Sequence, residues 1–394
     1  MRKAFIALFF VCIGPILEAQ TLSESSRISL LTGSPGEELY STFGHSAIRV
    51  NDPLQHLDIV FNYGTFDFNA PNFYLNFARG KLLYKLSIET FESFQYSFKY
   101  ENRSIGEQVL NLTFNQKQKL FDLLQENYKP ENRYYKYDFF FDNCATRIRD
   151  LMITAFGNDF TNHYPKAWEN DHLTFRNLID LYLGDHHWSD FGIDLALGLP
   201  TDALASPPDY MFLPDYLAEG FATATIMQHG EKVPFTSNNR IILSKIDMVP
   251  KVFFITPGRL MWFLFLLGAA LSYLSFKKGI NIRWFDVVYF NLIGLVGWMV
   301  FLLWFFTDHV ATKENLNLLW AFPLHFPIFF FWKKLSVTFR KWYMILFGSI
   351  CLLLILTWSV FPQNYNFAFI PMILIMLMRF VMLFRDGQQK PIEV

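Results

Sequence analysis

Polar and apolar positions divide this chain into three unequal stretches. The first is short: Met1-Arg2-Lys3 is basic, Ala4 to Leu17 is apolar, and Ala19 offers a small residue before Gln20. This is the pattern of a signal peptide, too short to span a bilayer comfortably and followed by polar sequence. Cys12 follows Phe9-Phe10-Val11 and lacks the small residues of a lipoprotein cleavage site, so no lipid attachment is expected.

The second stretch, from about Thr21 to Pro257, mixes two periods. His45 to Val50 alternates like a strand, with Ile48 and Val50 on one face and His45, Ala47 and Arg49 on the other. Asp58 to Tyr63 predicts a second strand ending at Gly64, and Leu82 to Ile88 a third. Asn115 to Tyr128 has helical spacing at Leu120, Leu123, Leu124 and Tyr128. Tyr134 to Phe141 reads as an aromatic strand or turn. A helix runs from Ala145 with Ile148, Leu151, Met152 and Ala155 on one face. After Gly157 the chain becomes rich in Trp, His, Asp and Pro, which predicts short helices packed on this domain or near a membrane surface. The fold class expected here is α+β.

The third stretch holds apolar runs of spanning length: Leu260–Phe276, Phe285–Phe306, Leu316–Trp332, Trp342–Phe361 and Phe367–Phe384. An all-α bundle of about five transmembrane helices is expected. Basic residues set its orientation. Lys277, Lys278 and Arg283 follow the first run, Lys333, Lys334, Arg340 and Lys341 the third, and Arg385 and Lys390 the fifth. Those segments are expected in the cytoplasm, with the C-terminus. The loops 307–315 and 362–365, and the large N-terminal domain, are then expected in the periplasm of a bacterial inner-membrane protein. The expected divisions are 1–19 signal peptide, 20–157 catalytic domain, 158–256 helical and aromatic extension, and 257–386 bundle.

Composition agrees with a split chain: 52% of the 394 residues are hydrophobic and 18% charged, too apolar for a soluble protein and too polar for membrane throughout. The formal net charge of −1 gives no argument for nucleic acid. No zinc-ligand spacing, Gly-rich phosphate loop or internal repeat is present. His163 and the pair His186-His187 have no Cys or Glu at ligand spacing, so no metal and no cofactor are expected.

Only Cys144, of three cysteines, falls in the soluble region, which excludes a disulfide framework there. Asp142-Asn143 precede it as N-cap residue types, placing Cys144 in the first turn of the helix. Helix dipole and free amides there stabilise a thiolate, Arg147 and Arg149 add positive charge, and the amides of Cys144 and Ala145 are candidates to hold an oxyanion. Against this stands the reading of a buried, inert thiol. A thiol nucleophile needs a base. Outside the aromatic extension, His45 and His56 are available, and His45 opens a strand beside Gly44.

Gly44-His45-Ser46 on a strand, with Asn143-Cys144 opening a later helix, resembles the circularly permuted papain-like fold, where His precedes Cys. Lecithin retinol acyltransferase and its relatives share that order. Their Cys-Glu-His continuation is absent here, because Ala145-Thr146 follows Cys144. In that fold a third polar residue sits on the strand after the His; Asn62 or Tyr63 is the matching place, with Asn62 preferred. A fuller resemblance is to the Lnb-type lipoprotein N-acyltransferase family. It is carried by residues 41–46 (STFGHS), 62–66 (NYGTF), 137–147 (YDFFFDNCATR), Leu197-Gly198, Asp202, 211–214 (MFLP), and the multispan tail with His309 and Asn315.

The resemblance implies a membrane-bound thiol acyltransferase with Cys144 as nucleophile, His45 as base and Asn62 as third residue. The acyl donor would be a phospholipid and the acceptor the N-terminal cysteine of a lipoprotein, both held in the lipid bilayer. Arg79, Tyr84, Arg147 and His309 are candidates to line the substrate site. Two other readings stay open: a cysteine hydrolase acting on lipid esters or cell-wall peptide, and a non-enzymatic membrane assembly or sensor protein with an unreactive Cys144.

Overall fold

The computed structural model describes residues 21–246 and 254–388; the expected signal peptide lies outside them. The N-terminal part is built on a seven-stranded sheet. Its strands are β1 (Arg27–Gly33), β2 (His45–Asp52), β3 (Leu57–Thr65), β4 (Leu83–Thr90), β5 (Ile105–Leu110) and β6 (Tyr134–Lys136). Three further strands, β7 (Phe160–Thr161), β8 (Thr225–Gln228) and β9 (Glu231–Pro234), form a small separate sheet, and β10 (Thr236–Leu243) joins the large one. The large sheet has the order β10-β5-β1-β2-β3-β4-β6, and its pairs are antiparallel. With helices packed on it, this is the α+β class that the mixed periods predict.

Both faces of the sheet are covered. Helices α1 (Phe73–Ala78), α2 (Phe91–Tyr100), α3 (Phe114–Tyr128) and α4 (Cys144–Phe156) follow in the first half of the chain. Ile48 and Phe61 face Leu120, Phe121 and Leu124 of α3 and Ile148 and Met152 of α4 in one core. Ala47 and Val60 face Phe94 and Phe98 of α2 in another. The alternation read in β2 is therefore right, but its second face is no solvent face. Each large apolar side chain buried this way contributes about 1.5–3 kcal/mol.

Residues 163–223 form the expected short helices: α5 (Lys166–Asn170), α6 (Phe175–Leu183), α7 (His187–Ala196), α8 (Pro207–Tyr210) and α9 (Pro214–Thr223). They bind both neighbours. Phe212 joins the α4 core, while Leu195 joins the core of the helical tail. The joint is polar and buried. Arg176 of α6, 1% exposed, pairs with Asp194 and Asp202. Asn315 donates to the carbonyls of Leu195 and Ala196 at 2.9 and 3.0 Å. A Cβ at Gly198 would lie 1.8 Å from the carbonyl oxygen of Lys313, so only glycine permits this approach.

The tail contains α10 (Pro257–Lys278), α11 (Arg283–Phe306), α12 (His325–Phe330), α13 (Val337–Leu356) and α14 (Phe369–Gln388). Among the described residues, α10, α11 and α13 are long and apolar enough to cross a membrane. The fifth expected run is the helix α14, but it carries Arg379, whose guanidinium pairs with Asp286 of α11 and reaches Ser272 of α10. A buried charge so matched is tolerated between helices.

The third expected span, Leu316–Trp332, is not one helix. It breaks into a 3-10 turn at Leu316–Leu319, the short α12, and another turn at Trp332–Lys334. Pro323 and Pro327 lack the amide a continuous helix needs. The broken backbone lies against glycines of α11: a Cβ at Gly294 would meet Phe326 N at 2.2 Å, and one at Gly297 would meet Ala321 O at 2.0 Å. Irregular backbone is viable in a membrane where protein buries it, and Trp320, Ala321 and His325 are fully buried. His325 bonds Tyr343 through Nδ1 and the carbonyl of Trp320 through Nε2, so both ring nitrogens are engaged.

Candidate active site

The segment 137–147 explains itself residue by residue. Asp138 accepts the amides of Phe140 and Phe141, at 2.9 and 3.0 Å, and folds the aromatic run into a tight turn. Asp142 pairs with Arg147, Nη2 to Oδ2 at 2.7 Å, across the turn. Asn143 caps α4: its Oδ1 accepts the amides of Ala145 and Thr146 at 2.8 and 2.9 Å, and Thr146 Oγ1 accepts the Asn143 amide. The Asn143 amide nitrogen donates to the carbonyls of Phe139 and Phe212, at 2.7 and 2.8 Å. Cys144 is thereby fixed as the first residue of the helix.

The start of α4 meets the start of β2. The His45 imidazole lies beside the Cys144 sulfur, close enough to act on its charge, as do the amide of Ser46 and that of Ala145, the latter bonded to Asn143 Oδ1. Two glycines make the approach possible. Gly44, at φ +78°, turns the chain into β2, and a Cβ there would press on the carbonyl of Gly33. Gly64, at φ +83°, lies under the nucleophile; a Cβ there would stand 3.6 Å from Cys144 Cβ and 3.5 Å from the Tyr137 ring.

Strand β3 brings Asn62 beside His45. The Nε2 of His45 donates to Asn62 Oδ1 at 2.6 Å, which leaves Nδ1 for the sulfur. Asn62 Nδ2 in turn donates to Glu89 Oε1 at 3.2 Å, and Ser93 Oγ donates to Glu89 Oε2 at 2.9 Å. Glu89 is a member the sequence reading did not find. Its signal is faint: Asn62 pairs with Ser87 and Val60 with Glu89 across β3 and β4, so Glu89 stands two residues along β4 from the partner of Asn62, on the same face, in a register that only the folded sheet defines.

Burial and charge pull in opposite directions here. Burial raises the Cys144 pKa, but His45 and the two amides outweigh it, and the thiol lies below its ordinary value. Burial lowers the His45 pKa, but the Cys144 charge and the bonds to Cys144 and Asn62 outweigh it, and the imidazole lies above its ordinary value. Together these shifts favour a thiolate beside an imidazolium. Cys144 is buried, 7% exposed.

The four other candidates fall into two groups. Arg147 is engaged: besides Asp142, its guanidinium stacks 3.8 Å above the Tyr135 ring. Tyr84, Arg79 and His309 belong to one continuous region. Tyr84 stacks on Tyr137 at 4.4 Å, Tyr137 lies over Gly64, and Phe66 packs edge-on to Tyr84 at 5.2 Å. Phe73 follows Phe66 at 5.7 Å, and Phe77 follows Phe73. At that end the helical tail docks. His309 donates to the carbonyl of Phe77 at 3.1 Å, the amide of Asp308 to the carbonyl of Arg79 at 2.8 Å, and Lys136 pairs with Asp308 at 3.3 Å. An aromatic track therefore runs from beside the sulfur to the loop that follows α11. Phe68, Tyr74, Leu75 and Phe77 along it are exposed.

The amide of Ala145, expected to face an oxyanion, is taken by Asn143 Oδ1. The Cys144 amide is the remaining one of that pair. Among histidines weighed for metal, His163 bonds Thr225 Oγ1 at 3.0 Å. A carboxylate group of Asp180, Asp190 and Asp194 is tied to Arg176 and Asn366 at the joint between domain and bundle.

Residues 16–179 match the family described as the Lnb N-terminal periplasmic domain, and residues 249–390 match the Lnb transmembrane domain. No curated protein and no solved structure matches the chain. The two matched families describe the two parts that the fold displays, a domain of antiparallel sheet and helices and a helical membrane region, in the same order. The chain belongs to the Lnb family: an inner-membrane protein of lipoprotein-modifying type, with its N-terminal domain in the periplasm.

Proposed function

We propose that this protein is a thiol-dependent lipoprotein N-acyltransferase. The observation that carries the reading is the contact of Cys144, at the capped start of α4, with a His45 imidazole held from behind by Asn62. The thiolate attacks an ester carbonyl of a phospholipid, and the Cys144 amide steadies the oxyanion. The tetrahedral intermediate collapses, the C–O bond breaks, and His45 gives its proton to the departing lysophospholipid alkoxide. An acyl-thioester remains on Cys144. The amine of a lipoprotein's N-terminal cysteine then attacks that carbonyl, His45 takes the amine proton, and the C–S bond breaks. The amide product leaves and the thiolate returns.

The order His45, Asn62, Cys144, on two strands and then a helix, supports a circularly permuted papain-like arrangement. On this reading residues 20–157 catalyse, 158–256 brace the catalytic part, and 257–386 hold it at the bilayer. The leader 1–19 exports the domain, and the C-terminus stays in the cytoplasm. The aromatic track from Phe77 to Tyr137 is the path for the acyl donor, with Arg79 and His309 at its membrane end as headgroup contacts.

The test is reconstitution of the purified chain with phospholipid and a diacylated lipoprotein. N-acylated lipoprotein and lysophospholipid are expected, with a hydroxylamine-sensitive acyl group on Cys144 when the acceptor is withheld. Release of free fatty acid alone would make the protein a lipase. Full activity in Cys144→Ser would refute thiol catalysis.

A further inference from the structure

A cavity of about 480 Å³ opens far from Cys144, at the other end of the helical tail. It lies where α10 ends and α11 begins. The opposite end of α11 docks on the N-terminal domain through Asp308 and His309. A helix of 24 residues separates the two ends by roughly 36 Å. With the domain in the periplasm, the cavity faces the other leaflet.

Its walls carry an excess of positive charge. Arg283, Lys333, Arg340, Arg379 and Arg385 line it, against two carboxylates, Asp286 and Asp386. Both carboxylates are committed, Asp286 to Arg379 and Asp386 to Arg385. Arg283, Lys333 and Arg340 have no acidic partner among the described residues. They come from different segments, yet they converge on one hollow. The Nε atoms of Arg283, Arg340 and Arg385 are shielded from solvent with no acceptor among the described residues. Basic residues that only mark the inner side of a membrane would extend into water. A buried guanidinium N–H without an acceptor is costly, and a phosphate oxygen satisfies it.

The hollow does not end in water on every side. An apolar groove adjoins it between α13 and α14, and Trp332, Arg340 and Leu383 line both. Met344 and Phe384 extend the groove. A charged chamber opening into a greasy groove has the chemistry of a lipid: phosphate at the head, acyl chain alongside.

We propose that this cavity is a binding site for the phosphate headgroup of an anionic phospholipid of the leaflet opposite the periplasmic domain. Arg283, Lys333 and Arg340 hold the phosphate, and the groove between α13 and α14 receives the upper part of one acyl chain. The site is independent of Cys144 and of the acyl-transfer reading.

Native mass spectrometry of the full-length Cys144→Ser chain, released from detergent, tests the proposal. Cardiolipin, phosphatidylglycerol and phosphatidylethanolamine are offered singly. The anionic lipids are expected to be retained over phosphatidylethanolamine. Replacing Arg283 and Arg340 together by Gln is expected to weaken anionic retention roughly 25-fold, since each basic residue contributes about a factor of five near an anionic lipid. Equal retention of all three lipids by the unsubstituted chain overturns the proposal without recourse to the variant. Inorganic phosphate is the second arm. Displacement of cardiolipin by phosphate at matched concentration would show an anion site with no use for the groove, and would also overturn it. The Arg283/Arg340 variant is expected to keep the parent's Tm and a single monodisperse peak in detergent, which shows that it folds.

Discussion

Asn62 touches His45 on the side away from the sulfur, Oδ1 to Nε2 at 2.6 Å. This bond fixes both the tautomer and the tilt of the ring, because Nε2 can only donate to a carbonyl-type oxygen. Asn62→Ala should therefore lower kcat for N-acylation roughly ten- to a hundredfold with KM little changed. Cys144→Ser and His45→Ala should remove activity to background while the chain still inserts. Steady-state kinetics on the reconstituted protein check the set. An Asn62→Ala enzyme at full rate would detach Asn62 from the mechanism.

Glu89 acts one step further back. It receives the amide nitrogen of Asn62 and so decides which way that amide faces. Glu89→Gln can present an NH₂ to Asn62 instead of an oxygen, letting the amide flip. A loss of several-fold in kcat is expected, smaller than that of Asn62→Ala. Combining the two should add little to Asn62→Ala alone, as for residues acting through one another.

The pH dependence of the pair follows from the two shifts. The thiol lies below its usual range, so the reactive thiolate forms at lower pH than for a free cysteine. The imidazole lies above its usual range, so the proton it supplies to the leaving group persists to higher pH. Acyl transfer should rise through the depressed thiol pKa and fall through the elevated imidazole pKa. Alkylation of Cys144 by iodoacetamide should show only the rising limb. In His45→Ala that limb should move up toward, or past, the ordinary thiol value. An unmoved alkylation profile would mean that His45 does not support the thiolate.

Much of this site was legible because its residues are local specialists. Asn143 before Cys144 reads as a cap, and Gly44 before His45 as a turn into a strand. Asn62, with Tyr63 as the alternative, came only from the resemblance, which puts a third polar residue on the strand after the His. Glu89 escaped because its role depends on strand register, which no local pattern encodes. Strands β1, β5 and β10 were passed over, although β1 is central to the sheet and Leu30 and Leu31 are fully buried. The tail shows the opposite error. Hydropathy measures composition and cannot see that Pro323, Pro327 and the glycines of α11 turn an apolar run into folded, irregular backbone.

Arg176 gives a stability prediction. Its removal leaves Asp194 and Asp202 buried without their cation. Arg176→Ala should cost about 3–5 kcal/mol at the joint between domain and bundle. A fall in Tm and new proteolytic cleavage between residues 183 and 202 are expected. A Tm within about 2 °C of the parent would show the pair to be dispensable.

Membrane orientation is open to a direct measurement. A reporter fused after Val394 should be active only in the cytoplasm. One active only in the periplasm would invert the basic-residue reading.

The bonds from Asn315 to the carbonyls of Leu195 and Ala196, and the seat of Gly198 against Lys313, leave the N-terminal domain no hinge at this joint. Cys144 then stands at a constant altitude over the bilayer. It does not dip to find its substrates. On the acyl-transfer proposal, the lipids would climb to it, one along the aromatic ladder from Phe77 and one on the tether of its own peptide. Selectivity is then partly a matter of reach: an acceptor whose first residues are too short or too stiff to rise that far goes unmodified, whatever its chemistry.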